Sequence, residues 1–342
     1  MPEAVLAPFW VAEPAPIAPP QTRTAAIMSI ATELPEQRLT SAALAERLGI
    51  EEKWILSRTG IRERRMARPD ERLSDFATRA GASALARAQV DPGDVDLVIV
   101  ATMSQDEFTP NSAPIVAHEL GAINAGAFDV GAACTAFLSG LALAAAQIEC
   151  GRAERVLLIG ADLISRFTNY DDKFTAPLFA DAAGAAVIGA VPAGEAGLGA
   201  GSIGPIVLGC DGSHARTIFC TRETGLIEMD GQEVFRGAVN RMSEVTLQAA
   251  ERAGVTLDEI DLFVFHQANA RITRSIGERL KLDPERVVDC IASLGNSSAA
   301  TLPLALMAAE LDGRLQPGAR VMLGAFGAGF TWGGGVIEWG GE

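Results

Sequence analysis

The chain has 342 residues, with 28 Lys and Arg against 43 Asp and Glu, for a formal net charge of −15. That balance argues against nucleic acid as the main partner, because phosphate recognition needs clustered positive charge. A composition of 49% hydrophobic and 21% charged residues is that of a folded, core-bearing protein, and the length suits two domains or one large α/β unit.

Residues 1–24 carry six prolines and no Lys or Arg before Arg23. A secretory leader wants a basic start and an unbroken apolar run, so this stretch is expected to be a flexible Pro-rich extension. The run 58–72 (RTGIRERRMARPDER) holds six Arg beside Glu63, Asp70 and Glu71. Such a run is either a solvated charged face or a local positive field that steers anionic ligands on an acidic protein. His118 falls in a predicted helix (NSAPIVAHEL) and reads as structural. Between Asp129 and Glu149 lie nineteen uncharged residues, Val130–Ile148, nominally enough to span a membrane. The stretch is mostly Ala, includes Gly131, Thr135, Ser139, Gly140 and Gln147, and has no basic flank. A helix buried on all sides of a globular core explains it better, so no membrane partner is expected. His214, in the loop DGSH, reads as solvated. The five Cys (134, 150, 210, 220, 290) form no CxxC pair and no His/Cys cluster at metal-ligand spacing. Scattered thiols of this kind read as reduced cysteines of a cytoplasmic protein, with no metal.

The chain also repeats itself. RAQVDPGDVDLVIV (87–100) matches RAGVTLDEIDLFVF (252–265) at an offset of 165. LALAAAQI (141–148) matches LALMAAEL (304–311) at 163, and RVLLIGA (155–161) pairs with RVMLGA (320–325). The competing explanation is that αβ units of Ala-rich proteins resemble one another. The apolar runs 96–101, 155–160 and 184–190, and 261–265, 319–324 and 335–339, suit strands covered on both faces. These features predict an N-terminal half over 25–195 and a C-terminal half over 196–342, packed around a pseudo-twofold axis. The helices that follow positions 134 and 297 should lie between two sheets.

An offset of 163 carries Cys134 onto Ser297 and Asn296 onto Ala133, at the starts of equivalent helices. Backbone N–H groups there are unpaired and the helix dipole is positive, so a low thiol pKa is expected for Cys134 in GAACTAF. The other four Cys read as small buried hydrophobes. His266 ends a buried apolar strand (FVFHQANARI), a place where α/β folds build sites. The Gly-dense stretch GAFGAGFTWGGG (324–335) implies close backbone approach, and its N–H groups suit an oxyanion hole.

At this point the motifs resemble those of β-ketoacyl-acyl-carrier-protein synthase III, the initiating condensing enzyme of the thiolase-like superfamily. The motifs, in family order, are WILSRTGIRER (54–64), GAACTAF (131–137), LFADAAGAAV (178–187), HQANARI (266–272), LGNSSAAT (294–301) and FGAGFTWG (326–333). The resemblance covers about residues 25–342. It implies a five-layer αβαβα sandwich of duplicated halves, a catalytic triad of Cys134, His266 and Asn296, and an oxyanion hole from the backbone N–H groups of Cys134 and Ala328. It implies CoA contacts at Trp54, Arg58, Arg166 and Arg271, and a carrier-protein patch at Arg236, Arg271, Arg274 and Arg279. The chemistry would be acylation of Cys134 by acyl-CoA, then decarboxylative condensation with malonyl-acyl-carrier protein, by a homodimer without metal or redox cofactor. Acyl carrier protein and acyl-CoA would be its partners.

In acetyl-specific members a Phe stands where Thr109 stands here, and closes the acyl pocket of the neighbouring subunit. Thr109, beside Phe108, implies a starter longer or bulkier than acetyl. The segment 211–236, which lies over the pocket mouth in the family, is shorter here than in many members. Three other readings stand beside condensation. The first is a related acyltransferase that passes the acyl group from Cys134 to another acceptor in natural-product biosynthesis; such relatives tend to alter the Asn, which is intact here as Asn296. Non-decarboxylative head-to-head synthases, a further enzyme reading, resemble the chain too, but they carry a Glu base where Thr109 lies. The third is a non-catalytic partner subunit, which would lack the nucleophile.

Overall fold

The computed structural model describes residues 23–193 and 201–340. Residues 1–22, and the expected boundary between the halves at 195/196, lie outside the described residues. Arg23 and Thr24, expected in the extension, instead begin the first strand, β1 (Arg23–Glu33), paired with Pro192 and Val191.

In the first part a short hairpin and two helices follow: β2 (Arg38–Thr40), α1 (Ser41–Leu48), α2 (Glu52–Thr59) and β3 (Glu63–Arg65). Then come α3 (Leu73–Arg87), β4 (Leu97–Ala101), α4 (Ser112–Leu120), β5 (Gly126–Val130), α5 (Ala136–Glu149), β6 (Arg155–Leu163) and β7 (Asp181–Pro192). Strands β1-β7-β6-β4-β5 form one sheet in that order, parallel where β4 meets β5 and β6. The second part runs β8 (Ile203–Cys210), β9 (Ile218–Cys220), β10 (Ile227–Met229), α6 (Gly231–Ala253), β11 (Leu262–Phe265), α7 (Ala270–Leu280), α8 (Ile291–Leu294), α9 (Thr301–Leu311), β12 (Arg320–Gly327) and β13 (Thr331–Glu338). Its sheet has the order β11-β12-β13-β8.

The layering follows from where charge is missing. Helix α5 bears no charge before Glu149 and buries Phe137, Leu138, Leu141, Ala144 and Ile148 completely. With the equally apolar α9 it fills the space between the two sheets. The amphipathic helices stand outside: α3 and α4 cover the first sheet, α6 and α7 the second. Their polar ends are anchored by carboxylates. Asp106 accepts from the N–H groups of Leu73 and Ser74 at the start of α3, Asp129 from Ser112 and Ala113 at α4, and Asp230 from Gln232 and Glu233 at α6. Each satisfies orphan donors of a first turn. This is the thiolase-like five-layer αβαβα sandwich.

The internal register differs from the expected one at the key helices. Leu97 pairs with Val156, and Leu262 with Val321, both shifted by 165. Asp96 accepts from the Arg155 N–H as Asp261 does from Arg320. The left-handed residues Ala133 (φ 47°) and Ser298 (φ 53°) carry the same 165 through the tight turns that precede α5 and α9. Cys134 therefore corresponds to Ala299, not Ser297, and Asn296 to Gly131. The expected 163 came from helix sequences alone, and two Ala-rich apolar helices match at several registers. The Gly-dense 324–335 is largely a hairpin of β12 and β13, with only 328–330 as its turn.

Candidate active site

One cavity of about 790 Å³ opens among α2, α6, α7 and the turn between β12 and β13. Cys134, His266 and Asn296 all line it, at the ends of three different elements. Cys134 sits in the turn before α5, His266 follows the last residue of β11, and Asn296 follows α8. Ala328 also reaches the wall.

Asn296 is clamped on both sides. Its backbone N–H donates to Leu178 O at 2.9 Å, and its carbonyl accepts from Ala180 N–H at 2.9 Å. Its side-chain Oδ1 accepts from Ser298 N–H at 2.9 Å. With Oδ1 so engaged, Nδ2 is left as the donor end of the carboxamide. His266 is 2% exposed, and its Nδ1 lies 2.5 Å from Thr301 Oγ1, whose hydroxyl donates to Ser298 O at 3.0 Å.

The electrostatics overturn one expectation. Burial pushes the Cys134 thiol up to about 11. The neighbouring Ser298 hydroxyl and the residue's own N–H pull it down, and the Asp162 carboxylate adds to the rise. Desolvation outweighs the helix-end field here, because the thiolate loses more hydration than a few partial charges return. The Ser298 hydroxyl meets no acceptor at full hydrogen-bond geometry. Burial likewise drives the His266 imidazole down to about 3. The resting pair is thus a thiol and a neutral imidazole.

Around the mouth, the Trp54 ring carries the Arg58 guanidinium 4.5 Å from its centroid and the Lys173 ammonium at 5.8 Å. Arg271, over the Phe235 ring at 5.2 Å, and Arg236, paired with Glu233, line the same cavity. Arg166 does not line it: its guanidinium is held by the Glu71 carbonyl and by Asp106 at 3.6 Å. Arg274 and Arg279 are exposed on α7 outside the cavity, and Arg279 donates to Asn240. Phe108 (81% exposed) and Thr109 stand on the surface away from this chain's own cavity, with Arg222 over the Phe108 ring at 5.0 Å.

The basic run 58–72 is not a uniform solvated face: Arg58 and Arg62 are exposed, and most of the others are buried or paired. Arg64 is fully buried, donating to Leu39 O, Ser41 Oγ and Pro177 O. Arg65 donates to Pro35 O, Arg68 meets Glu36, Asp70 and Glu71, and Arg72 meets Glu107. Of the six Arg, Arg58 alone is on the cavity wall. His118 is exposed on α4, while His214, expected to be solvated, stacks on Phe330 with 4.5 Å between centroids. Sequence reasoning missed Lys173 and Phe174 beside Trp54, and Thr301 beneath His266. Lys173 sits in a stretch without a motif, but Thr301 closes the quoted LGNSSAAT. The segment 211–236 does reach the mouth, through Met229–Arg236. Among the described residues, no group of three or more His, Cys, Asp or Glu is placed to hold a metal ion. Among them, too, no helix is long and apolar enough to cross a membrane.

A duplicated five-layer sandwich with a cysteine at one central helix start, and a His and an Asn brought to it from the other half, defines a thiolase-like acyl-transferring enzyme. Residues 128–212 match the profile of 3-oxoacyl-[acyl-carrier-protein] synthase III, and residues 250–339 that of its C-terminal region. The chain is 41% identical over 324 residues to the β-ketoacyl-[acyl-carrier-protein] synthase III of Clostridioides difficile, covering 92% of this chain and 98% of that one. The synthase III crystal structure from Aquifex aeolicus superposes with a TM-score of 0.87 at 35% identity, over 92% of this chain and all (100%) of that one. The priming β-ketosynthase of the R1128 polyketide pathway gives 0.87 at 33%, over 94% and 98%. The chain belongs to the β-ketoacyl-acyl-carrier-protein synthase III family of condensing acyltransferases.

Proposed function

We propose that this protein condenses an acyl-CoA starter larger than acetyl with malonyl-acyl-carrier protein, using Cys134, His266 and Asn296. The observation that carries this reading is that these three side chains share one cavity, whose mouth bears Trp54, Arg58 and Arg271. In the first half-reaction the Cys134 thiol loses its proton to the neutral His266 and its sulfur attacks the thioester carbonyl. CoA departs as the thiolate, takes that proton and leaves as the thiol. The oxyanion is met by the N–H groups of Cys134 and Ala328.

In the second half-reaction malonyl-carrier protein enters. Asn296 Nδ2 and His266, in the tautomer that carries its hydrogen on Nε2 while Nδ1 accepts from Thr301, donate to its thioester oxygen as the C–CO₂ bond breaks, and the electron pair of that bond becomes the enolate. The enolate carbon attacks the acyl-Cys carbonyl. The tetrahedral intermediate collapses to β-ketoacyl-carrier protein and Cys134 thiolate, which takes one proton from solvent water. Loss of CO₂ drives the sequence, so the reading needs no metal or redox cofactor.

The adenine of CoA would stack on Trp54, flanked by Arg58 and Lys173. Lys173 takes the place in this reading that Arg166, committed to Asp106 and Glu71, leaves. Arg236, Arg271 and the exposed Arg274 and Arg279 would receive the acidic carrier protein. A cytoplasmic homodimer is part of the reading. It is supported by β5, an edge strand with Phe128 40% exposed, and by the nearby exposed Ile123 and Phe108. In such a dimer, the surface-borne Thr109 would face the partner's acyl pocket, where its small side chain leaves room for longer chains.

The test is intact-mass detection of acyl-enzyme across straight and branched acyl-CoA chains, followed by malonyl-carrier protein with CO₂ measured. Efficient labelling by C4 and longer or branched starters, lost in Cys134→Ala, is expected, with Thr109→Phe shortening the preferred chain. A strong acetyl-CoA preference in the unmodified protein overturns the starter assignment. Transfer of the acyl group to an alcohol or amine without CO₂ overturns condensation itself.

A further inference from the structure

We propose that Asp162 is a positioning residue for Asn296: a buried carboxyl group that fills, in one half of the duplicated fold, the space that the other half keeps open for the oxyanion. The inference rests on the condensation reading above.

Asp162 stands near the end of β6, is 0% exposed, and does not line the cavity. Four donors converge on it. Oδ1 accepts from Thr102 Oγ1 (3.0 Å), Met103 N–H (2.9 Å) and Ser104 Oγ (2.8 Å), and Oδ2 accepts from Ala299 N–H (3.1 Å). Among the described residues, no Lys, Arg or His forms an ion pair with it. Burial raises the pKa of this carboxyl group, and the donors gathered on it pull the other way, toward the anion. Such an arrangement is costly to build and costly to disturb.

The duplication shows what this carboxyl group replaces. At the offset of 165 that strands and turns share, Ala299 corresponds to Cys134 and Asp162 to Gly327. Thus the N–H that Asp162 caps is the counterpart of the Cys134 N–H. A Cβ placed on Gly327 would lie 3.0 Å from Cys134 N and 3.3 Å from Thr135 N. One helix start is therefore plugged by a side chain of the opposite sheet. The other faces a glycine that leaves the Cys134 amide uncovered, while the Thr135 N–H is held by Ala132 O. The same chain position builds structure in one half and vacancy in the other.

The plug reaches the chemistry through two consecutive amides. Ala299 N–H is held by Asp162, and the preceding Ser298 N–H holds Asn296 Oδ1. Ser298 is in the left-handed region, φ 53°, a conformation that costs a side-chain-bearing residue free energy and needs support from its surroundings. Asp162 supplies that support. It keeps the turn in the shape that ties down Oδ1 and leaves Nδ2 as the donor for the thioester oxygen. Gly160, two residues earlier on β6, makes the approach sterically feasible, since a Cβ there would come within 2.6 Å of Ala299 O.

The experiment compares Asp162→Asn with the unmodified protein in the two half-reactions separately, with a crystal structure of the variant. An amide sets at least one donor against a donor, so the turn loses its anchor. We expect acyl-Cys formation within about threefold of normal and CO₂ release from malonyl-carrier protein reduced ~10²-fold, the scale of losing one aligned oxyanion donor. The crystal structure should show the Ser298 N–H to Asn296 Oδ1 bond broken. Equal loss of both half-reactions in step with thermal stability, or unchanged CO₂ release, overturns the assignment. If Asp162→Asn does not fold, Ser104→Ala removes one Oδ1 donor and should give the same split at smaller size; its absence is equally fatal. If the unmodified protein releases no CO₂ from malonyl-carrier protein, the condensation reading falls. The variant's crystal structure then decides the positioning claim by itself: an intact Asn296–Ser298 bond refutes it.

Discussion

Thr301 illustrates how a residue that touches no substrate decides what its neighbour can do. Its single hydroxyl proton points to Ser298 O, which makes His266 Nδ1 the donor in their 2.5 Å contact. Turned toward Nδ1, the same hydroxyl leaves the hydrogen on Nε2. Thr301→Val removes the partner and should lower the malonyl decarboxylation rate about 10–100-fold, on the scale of outer-shell partners of an imidazole. Thr301→Ser should restore most of it. Stopped-flow or CO₂ measurements on both variants check this; equal rates in both would refute the role. Cys134, His266 and Asn296 were each legible as residues, because each lies in a motif at a strand or helix terminus. The state of the thiol was not. A helix start predicts a lowered pKa, and only the packing around the sulfur shows that desolvation wins. Arg166 and Lys173 show the same limit. Both are basic residues after β6, yet Lys173 stands over Trp54 while Arg166 is paired with Asp106.

Among the elements, β6 does the most with the least side-chain volume. Its Gly160 lets the turn before α9 approach closely. Gly160→Ala would overpack that contact against a backbone carbonyl that cannot swing aside, at a cost of about 1–3 kcal/mol. Denaturant titration should show the loss. Condensation activity should fall beyond what the unfolded fraction explains, because the displaced turn holds Asn296. Among the described residues, six of the nine strands of the two main sheets, β4, β6, β7, β11, β12 and β13, were readable from continuous apolar runs and begin and end within a few residues of the expected limits, whereas β1, β5 and β8 were not read. The register of the central helices was not, since α5 and α9 are Ala-rich and nearly uniform in polarity. The correct 165 resides instead in Asp96 and Asp261, which bind equivalent strand amides. Polar residues with a specific partner mark register where apolar ones only mark burial.

For the whole molecule, the layered order was predictable because a nineteen-residue uncharged stretch needs cover on every side. What no linear pattern indicates is how ionisable groups are distributed among those layers. His266, buried and neutral with its pKa near 3, binds fewer protons in the folded state than in the unfolded chain between pH 3 and 6.5. The stabilisation is complete above pH 6.5 and is lost as pH falls toward 3. The melting temperature should therefore decline through that window, and His266→Asn should flatten part of the decline in thermal scans at fixed ionic strength. Cys134 acts at the other limb. With its folded pKa raised, its contribution is intact below about pH 9, the ordinary thiol value, and fades as pH climbs toward 11.

That raised thiol has a chemical corollary for survival in an oxidising surge. Peroxide attacks the thiolate and spares the protonated sulfur. A nucleophile stored mainly in its protonated form therefore presents less thiolate to hydrogen peroxide between turnovers, although Cys134 is only half-buried in the cavity wall. Such an enzyme should resist sulfenylation at concentrations that inactivate low-pKa cysteine hydrolases. Its vulnerable moment would come only while a bound thioester is drawing the proton away.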